Sequence, residues 1–130
     1  MRFSRRTMLA ATGAAFAAAT ITAVGISAVT SQTVMAEGTN LHIRVVKTAA
    51  NDYDSGWHVH PGPAIVQVQQ GSFQITQGSC TPRTVSAGET LIETPFVPVR
   101  AVATGPIVWT TTLLGRYEDR LLTPIVSPCP

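Results

Sequence analysis

His58 and His60 are the residues of this chain whose type and spacing suit them best to chemistry. They sit in the run Trp57-His58-Val59-His60-Pro61-Gly62. On a β-strand successive side chains point to opposite faces, so residues two apart put both imidazoles side by side on one face. The Pro61-Gly62-Pro63 turn that follows stops such a strand at once. Two histidines held this way can chelate a divalent metal when further ligands come from elsewhere in the chain. Without a metal they should titrate between about pH 5 and 7, each charge disfavouring the other. Other chemistry is not spelled out: there is no Ser/His/Asp order with a nucleophile elbow, no CxxC, no phosphate-cradling glycine loop and no carboxylate pair of glycosidase type.

The histidines need a scaffold, and not all 130 residues supply it. After Arg2, Arg5 and Arg6 no charged residue occurs until Glu37, and the stretch between is rich in Ala, Thr, Gly and Ser. A basic head, an apolar middle and a small-residue exit describe an export signal. Ser4-Arg5-Arg6-Thr7-Met8-Leu9 resembles the twin-arginine type, although Met8 stands where that pattern prefers Phe and a general secretory route stays open. Val34-Met35-Ala36 offers small residues for cleavage, so the expected leader is 1–36. The alternative is an uncleaved anchor, since roughly 20 apolar residues suffice to span a bilayer. Either way the remainder, 37–130, is expected outside the cytoplasm, with the membrane as a partner only through a retained leader.

Without the leader's three arginines, six basic residues face seven acidic ones, a net charge of −1. The basic character of the whole chain therefore belongs to the leader, and no basic patch remains for nucleic acid. Cys80 and Cys129 are the only cysteines. An even pair in an oxidising compartment is most simply a disulfide, here closing a loop of about 50 residues with an upper stabilisation of roughly 4 kcal/mol.

The segment 37–130 is expected to be one small all-β domain, a jelly-roll barrel with an extended C-terminal tail. Short runs of alternating polarity recur every 8–12 residues between turn signals, and none has capped helical periodicity. Leu41–Val46 is a half-buried strand in which His42 shares a face with Arg44 and reads as a solvated surface histidine. Ala64–Gln69 and Ser72–Gln77, separated by Gln70-Gly71, suggest a hairpin. Glu89–Thr94 runs into Pro95 and Pro98, which demands an edge, a bulge or a break. Ile107–Leu114 is the longest apolar strand and makes Trp109 a core residue. Trp57 points away from the histidines and reads as packing. The last prolines keep the tail extended.

The order of these residues resembles the cupin superfamily over about residues 56–114. A first cupin motif carries a glycine, an HxH pair, a glutamate and a later glycine, and Gly56, His58, His60 and Gly71 fall in those places. Gly88 and Pro95 resemble the start of the second motif, and Gly105 the glycine near its end. A small group of secreted bacterial cupins is similar further outward, through Asp54-Ser55-Gly56-Trp57-His58, Cys80, Ser86-Ala87-Gly88 and the terminal Pro-Cys-Pro.

The resemblance implies a metal held by three histidines and a glutamate, but Ala64 stands at the glutamate position. Val99 stands at the third-histidine position and Ala103 at the asparagine position. What remains is an incomplete metal site, His58 and His60, with Glu93 a candidate third ligand for Fe, Mn, Ni or Zn. The expected ligand pocket is His58, His60, Ala64 and Val99, with no residue assigned a catalytic role. Three readings follow: a module binding an unknown small molecule, a metal-dependent enzyme of cupin oxygenase or isomerase type, and a non-binding structural relative. The family also implies a possible homodimer, for which strand 107–114 could serve.

Overall fold

The computed structural model describes residues 28–38 and 40–130. The twin-arginine pattern and the expected leader as far as residue 27 lie outside the described residues. Among those described, ten strands and no helix form: β1 (Ala28–Gly38), β2 (Leu41–Asn51), β3 (His58–Val59), β4 (Ala64–Gln70), β5 (Ser72–Gln77), β6 (Arg83–Ser86), β7 (Thr90–Glu93), β8 (Val99–Val102), β9 (Pro106–Arg116) and β10 (Thr123–Pro124). They make two five-stranded antiparallel sheets, ordered β1-β2-β9-β4-β7 and β10-β3-β8-β5-β6. From β2 to β9 the chain passes repeatedly from one sheet to the other, and only β5–β6 is a hairpin within a sheet. That winding is the jelly roll. β1 and β10 extend it at one edge of each sheet.

The boundary expected after Ala36 falls inside β1, which pairs along the length of β2 from Ala28 opposite Asn51 to Gly38 opposite Ile43. Position β7 is an edge strand bonded to β4 alone within its sheet. Of the edge, bulge or break expected at the prolines, the chain takes the break: Pro95 and Pro98 lie in the turn between β7 and β8, where no ladder needs their missing N–H.

The expected β4–β5 hairpin is not formed. β4 pairs with β7 and β9, whereas β5 pairs with β6 and β8 in the opposite sheet. Gly71 makes the corner between the sheets. Its φ is +79°, and a Cβ there would lie 2.4 Å from the Pro106 carbonyl oxygen, so only glycine fits this close approach. A hairpin turn and a corner use the same local chemistry, and only the distant partners decide between them.

The inward face of β2 also differs from expectation. Arg44, Val46, Thr48 and Ala50 are buried, and His42 is half-buried with Nδ1 2.9 Å from the Asp119 carbonyl. His42 is therefore tied to the β9–β10 connection and is not a free surface histidine. The main core lies between the sheets around Phe73, Ile75, Leu91, Ile107 and Trp109. A smaller cluster, Ala64, Leu113 and Leu121, sits beside it. The tail is fixed to the barrel at three points: β10 pairs with β3, the Ile125 N–H donates to the Trp57 carbonyl at 3.0 Å, and Cys129 is disulfide-bonded to Cys80.

Candidate metal centre and cavity

His58 lies in β3 and His60 immediately after it, and both are buried, at 4% and 3% exposure. Each ring is oriented by a backbone carbonyl. His58 Nδ1 is 2.9 Å from the Gly56 oxygen and His60 Nδ1 is 2.6 Å from the Leu121 oxygen. A carbonyl can only accept, so both Nδ1 atoms carry the proton and both neutral rings keep the Nε2 lone pair. Metal-ligating histidines are commonly held this way, one ring nitrogen donating to a carbonyl and the other free for the ion.

Both Nε2 atoms face Glu93. His60 Nε2 is 2.8 Å and His58 Nε2 4.0 Å from Glu93 Oε2. With Nδ1 protonated, the neutral His60 ring presents a lone pair at Nε2 to a carboxylate that is itself an acceptor, so the two make no hydrogen bond as they stand. A proton or a cation between them satisfies both. One ligand atom from each of His58, His60 and Glu93 lies within 4.8 Å of the others. Two imidazoles and one carboxylate on one side of a cavity are the donor set of a facial metal site, suited to Fe(II) or Zn(II) among first-row ions.

The site is thus not limited to two histidines, as the spacing alone suggested. Glu93 is 4% exposed at the end of β7, where Leu91 and Glu93 turn inward and Thr90 and Ile92 outward. Its partner across the β4–β7 ladder is Ala64. Paired residues on neighbouring strands share a face. The carboxylate that the family resemblance would put at position 64 comes instead from the adjoining strand, and the small Ala64 side chain leaves it room. Once Leu91 is known to face inward, counting by twos places Glu93 inside as well.

Two other expected pocket residues, Ala64 and Val99, do not border the cavity; both are fully buried at 0% exposure. Ala64 packs in the cluster with Leu113 and Leu121. Val99 pairs with His58 across β3 and β8 and fills the third-histidine position with packed aliphatic carbon. Ala103 is likewise core.

The cavity itself is about 300 Å³. His58, His60 and Glu93 line it, together with Tyr53, Phe73 and Trp109. The aromatic rings pack edge-to-face or tilted, with centroids 4.7–5.9 Å apart. Val29 and Gln32 of β1 also border it, and Gln32 donates to the Thr48 hydroxyl at 3.1 Å. Tyr53 escaped the sequence reading because it sits in the polar turn Asn51–Gly56. Burial first, and the Glu93 charge second, push its phenol up to about 12, so it stays a neutral donor.

The two histidines do not titrate alike. Burial opposes charge on both. For His58 burial prevails over the pull of Glu93, and its pKa falls below 6.5. For His60 the adjacent Glu93 carboxylate and the Leu121 carbonyl outweigh burial, and its pKa rises above 6.5.

Two nearby devices hold the ligand strands. Phe96 sits at φ +60° and is 70% exposed, and its N–H donates to the His60 carbonyl at 2.8 Å. The turn Thr94–Val97 thus links the end of β7, which carries Glu93, to His60. A left-handed residue with a Cβ costs about 1–2 kcal/mol, against about 0.5–1 kcal/mol of extra chain entropy lost by glycine. Because the ring is mostly in water, little packing offsets that difference. Phe96→Gly should therefore stabilise the fold, by up to about 1 kcal/mol in urea unfolding; a loss of stability would show that the exposed ring contributes more than the strain.

The second device is Asp54, which accepts from Arg100 Nε at 3.0 Å and from the Gly56 N–H at 2.9 Å. It anchors to β8 the turn whose Gly56 carbonyl orients His58. The Arg100 guanidinium holds its carboxyl below 3.8. Since the folded pKa is depressed, the stability it contributes is present above about pH 4 and is lost as pH falls through the folded value. The melting temperatures of wild type and Asp54→Asn should converge as pH is lowered from 6 to 2. A constant difference would mean that the pair contributes nothing through charge.

The sequence matches no protein-family profile and no curated protein. Solved structures do share the fold. An uncharacterised conserved protein with a double-stranded β-helix domain from Klebsiella pneumoniae superposes with a TM-score of 0.60 at 19% identity, covering 75% of this chain and 84% of its own. A cupin superfamily protein from Desulfitobacterium hafniense gives 0.58 at 12% identity, covering 65% and 75%. The DMSP lyase DddQ from Ruegeria pomeroyi gives 0.60 at 11% identity, covering 77% and 53%. The chain therefore has a cupin-type fold, and at these identities the likeness speaks for the fold alone.

Proposed function

We propose that this protein holds one divalent cation on His58, His60 and Glu93 and presents it to a small organic ligand in the adjoining cavity. The observation that carries this reading is the orientation of the rings: both Nδ1 protons are engaged by carbonyls, and both Nε2 lone pairs face one buried carboxylate, an all-acceptor cluster that a cation satisfies. A bound ion supplies Lewis acidity on the cavity side. The chain's own residues do the rest. Gly56 and Leu121 fix the tautomers, Glu93 supplies the negative charge, Tyr53 offers a neutral donor, and Phe73 and Trp109 give apolar surface. The disulfide suits an oxidising compartment, in keeping with export by a twin-arginine-type leader.

Calorimetric titration of Zn(II) into EDTA-stripped full-length protein should give one site in the wild type, lost in His60→Ala. A wild type that takes up no ion would overturn the reading. A second reading has its own support: the raised pKa of His60 beside Glu93 also describes a buried ion pair that only fastens β7 to the end of β3. Under it, the stripped protein takes up no metal.

A further inference from the structure

The charges bordering the cavity narrow the kind of ligand it accepts. Apart from the two histidines, Glu93 is the only ionisable acid or base on its wall that can carry charge near neutral pH. No Lys, Arg or Asp borders it among the described residues, and Arg44, buried on the inward face of β2, does not line it. A divalent ion on two neutral imidazoles and one carboxylate leaves a net charge of +1. That charge sits in a space walled by Phe73, Trp109, Val46, Val66 and Leu113, where unbalanced charge is poorly solvated. A neutral ligand leaves the excess in place, a dianion reverses it, and a monoanion cancels it.

Size and shape point the same way. An apolar cavity of about 150 Å³ takes a benzene ring. The present one, about 300 Å³, has space for a ring or short branched chain together with one acidic group. The lining offers aromatic surface, Phe73 and Trp109, as well as the metal-binding residues, so an apolar body and a charged head each meet matching groups. Tyr53 borders the same space, and its phenol stays protonated. A neutral phenol beside a cavity can donate to an acceptor on the occupant.

We infer, resting on the metal reading above, that the cavity is selective for a small organic monoanion, with its acidic group at the His58–His60–Glu93 centre and within reach of the Tyr53 hydroxyl, and its apolar body against Phe73 and Trp109.

The test uses the full chain loaded with Co(II), whose visible absorption reports its coordination, and follows Trp fluorescence in parallel. Isobutyrate and benzoate are compared with isobutyramide and benzamide, their neutral counterparts, and with the dianion phthalate. Each monoanion should change the cobalt spectrum and bind at least about 10-fold more tightly than its amide and than phthalate. Tyr53→Phe should weaken benzoate about 3- to 10-fold, in line with one hydrogen bond to a charged group, and leave cobalt affinity within about two-fold. Should Tyr53→Phe fail to fold, the comparison of ligands on the wild type still decides. Amides binding as well as acids, phthalate binding best, or no response to either monoanion with cobalt in place overturns the selectivity while leaving the metal reading intact. Absence of a cobalt spectrum overturns the metal reading and this inference with it.

Discussion

Glu93→Gln should lower the affinity for a divalent cation by more than about 100-fold while the barrel stays folded. Losing a residue that only orients a ligand already costs about 10- to 100-fold in metal affinity. Glu93 is proposed as a ligand itself, and the only anionic one, so its loss should exceed that range. Glutamine keeps the shape and can still approach His60, so near-ultraviolet circular dichroism should be unchanged. The proton on His60 should respond too, because the Glu93 charge is what raises its pKa against the effect of burial. In the metal-free variant that ring should titrate at lower pH, visible by NMR. If Glu93→Gln binds Zn(II) as tightly as wild type, the carboxylate is not a ligand, and only the two imidazoles suggested by the sequence remain.

The second large effect concerns the disulfide. Cys80 and Cys129 are 49 residues apart, and a loop of that length gives an upper stabilisation of about 4 kcal/mol from chain entropy. Cys80→Ser/Cys129→Ser should lose about 2–4 kcal/mol in urea unfolding, enough to lower the melting temperature by roughly 10 °C or more. The loss should also reach the metal site. The tail that the bond ties down also carries Leu121, whose carbonyl orients His60, and Leu122, which lines the cavity. β10 itself is bonded to β3 at His58 and Val59. Metal affinity should therefore fall about 10-fold in the double variant, measured at a temperature where it is fully folded. Unchanged affinity in the folded variant would show that β10 and its neighbours hold Leu121 without the covalent tie.

The histidine pair was legible in the sequence because its spacing matches the period of a strand and prolines end the run. The barrel was legible for the same reason: alternation marks strands wherever one face is buried. Glu93 was harder. Leu91 and Ile92 are adjacent and both apolar, so polarity alone does not say which faces inward; Ile92 is in fact exposed. The compensation between Ala64 and Glu93 depends on the register of two strands that are distant in sequence, and no local pattern encodes it. The role of Leu121 was invisible, since a backbone carbonyl has no residue type to mark it. Gly71 signalled a turn but not its partners. Pairing between segments is likewise unmarked by residue type: residues 28–36, expected to end the leader, lie along β2, and Val29 and Gln32 border the cavity.

His58, His60 and Glu93, proposed as a metal centre, differ from a buried ion pair in whether they take up an ion. Element analysis of purified full-length protein, incubated with equimolar Fe(II), Mn(II), Ni(II) and Zn(II) and then passed through a desalting column, tests it most directly. Close to one divalent ion per chain is expected, lost in Glu93→Gln and in His60→Ala. Less than about 0.1 ion per chain in the wild type, or equal metal in all three proteins, would contradict it.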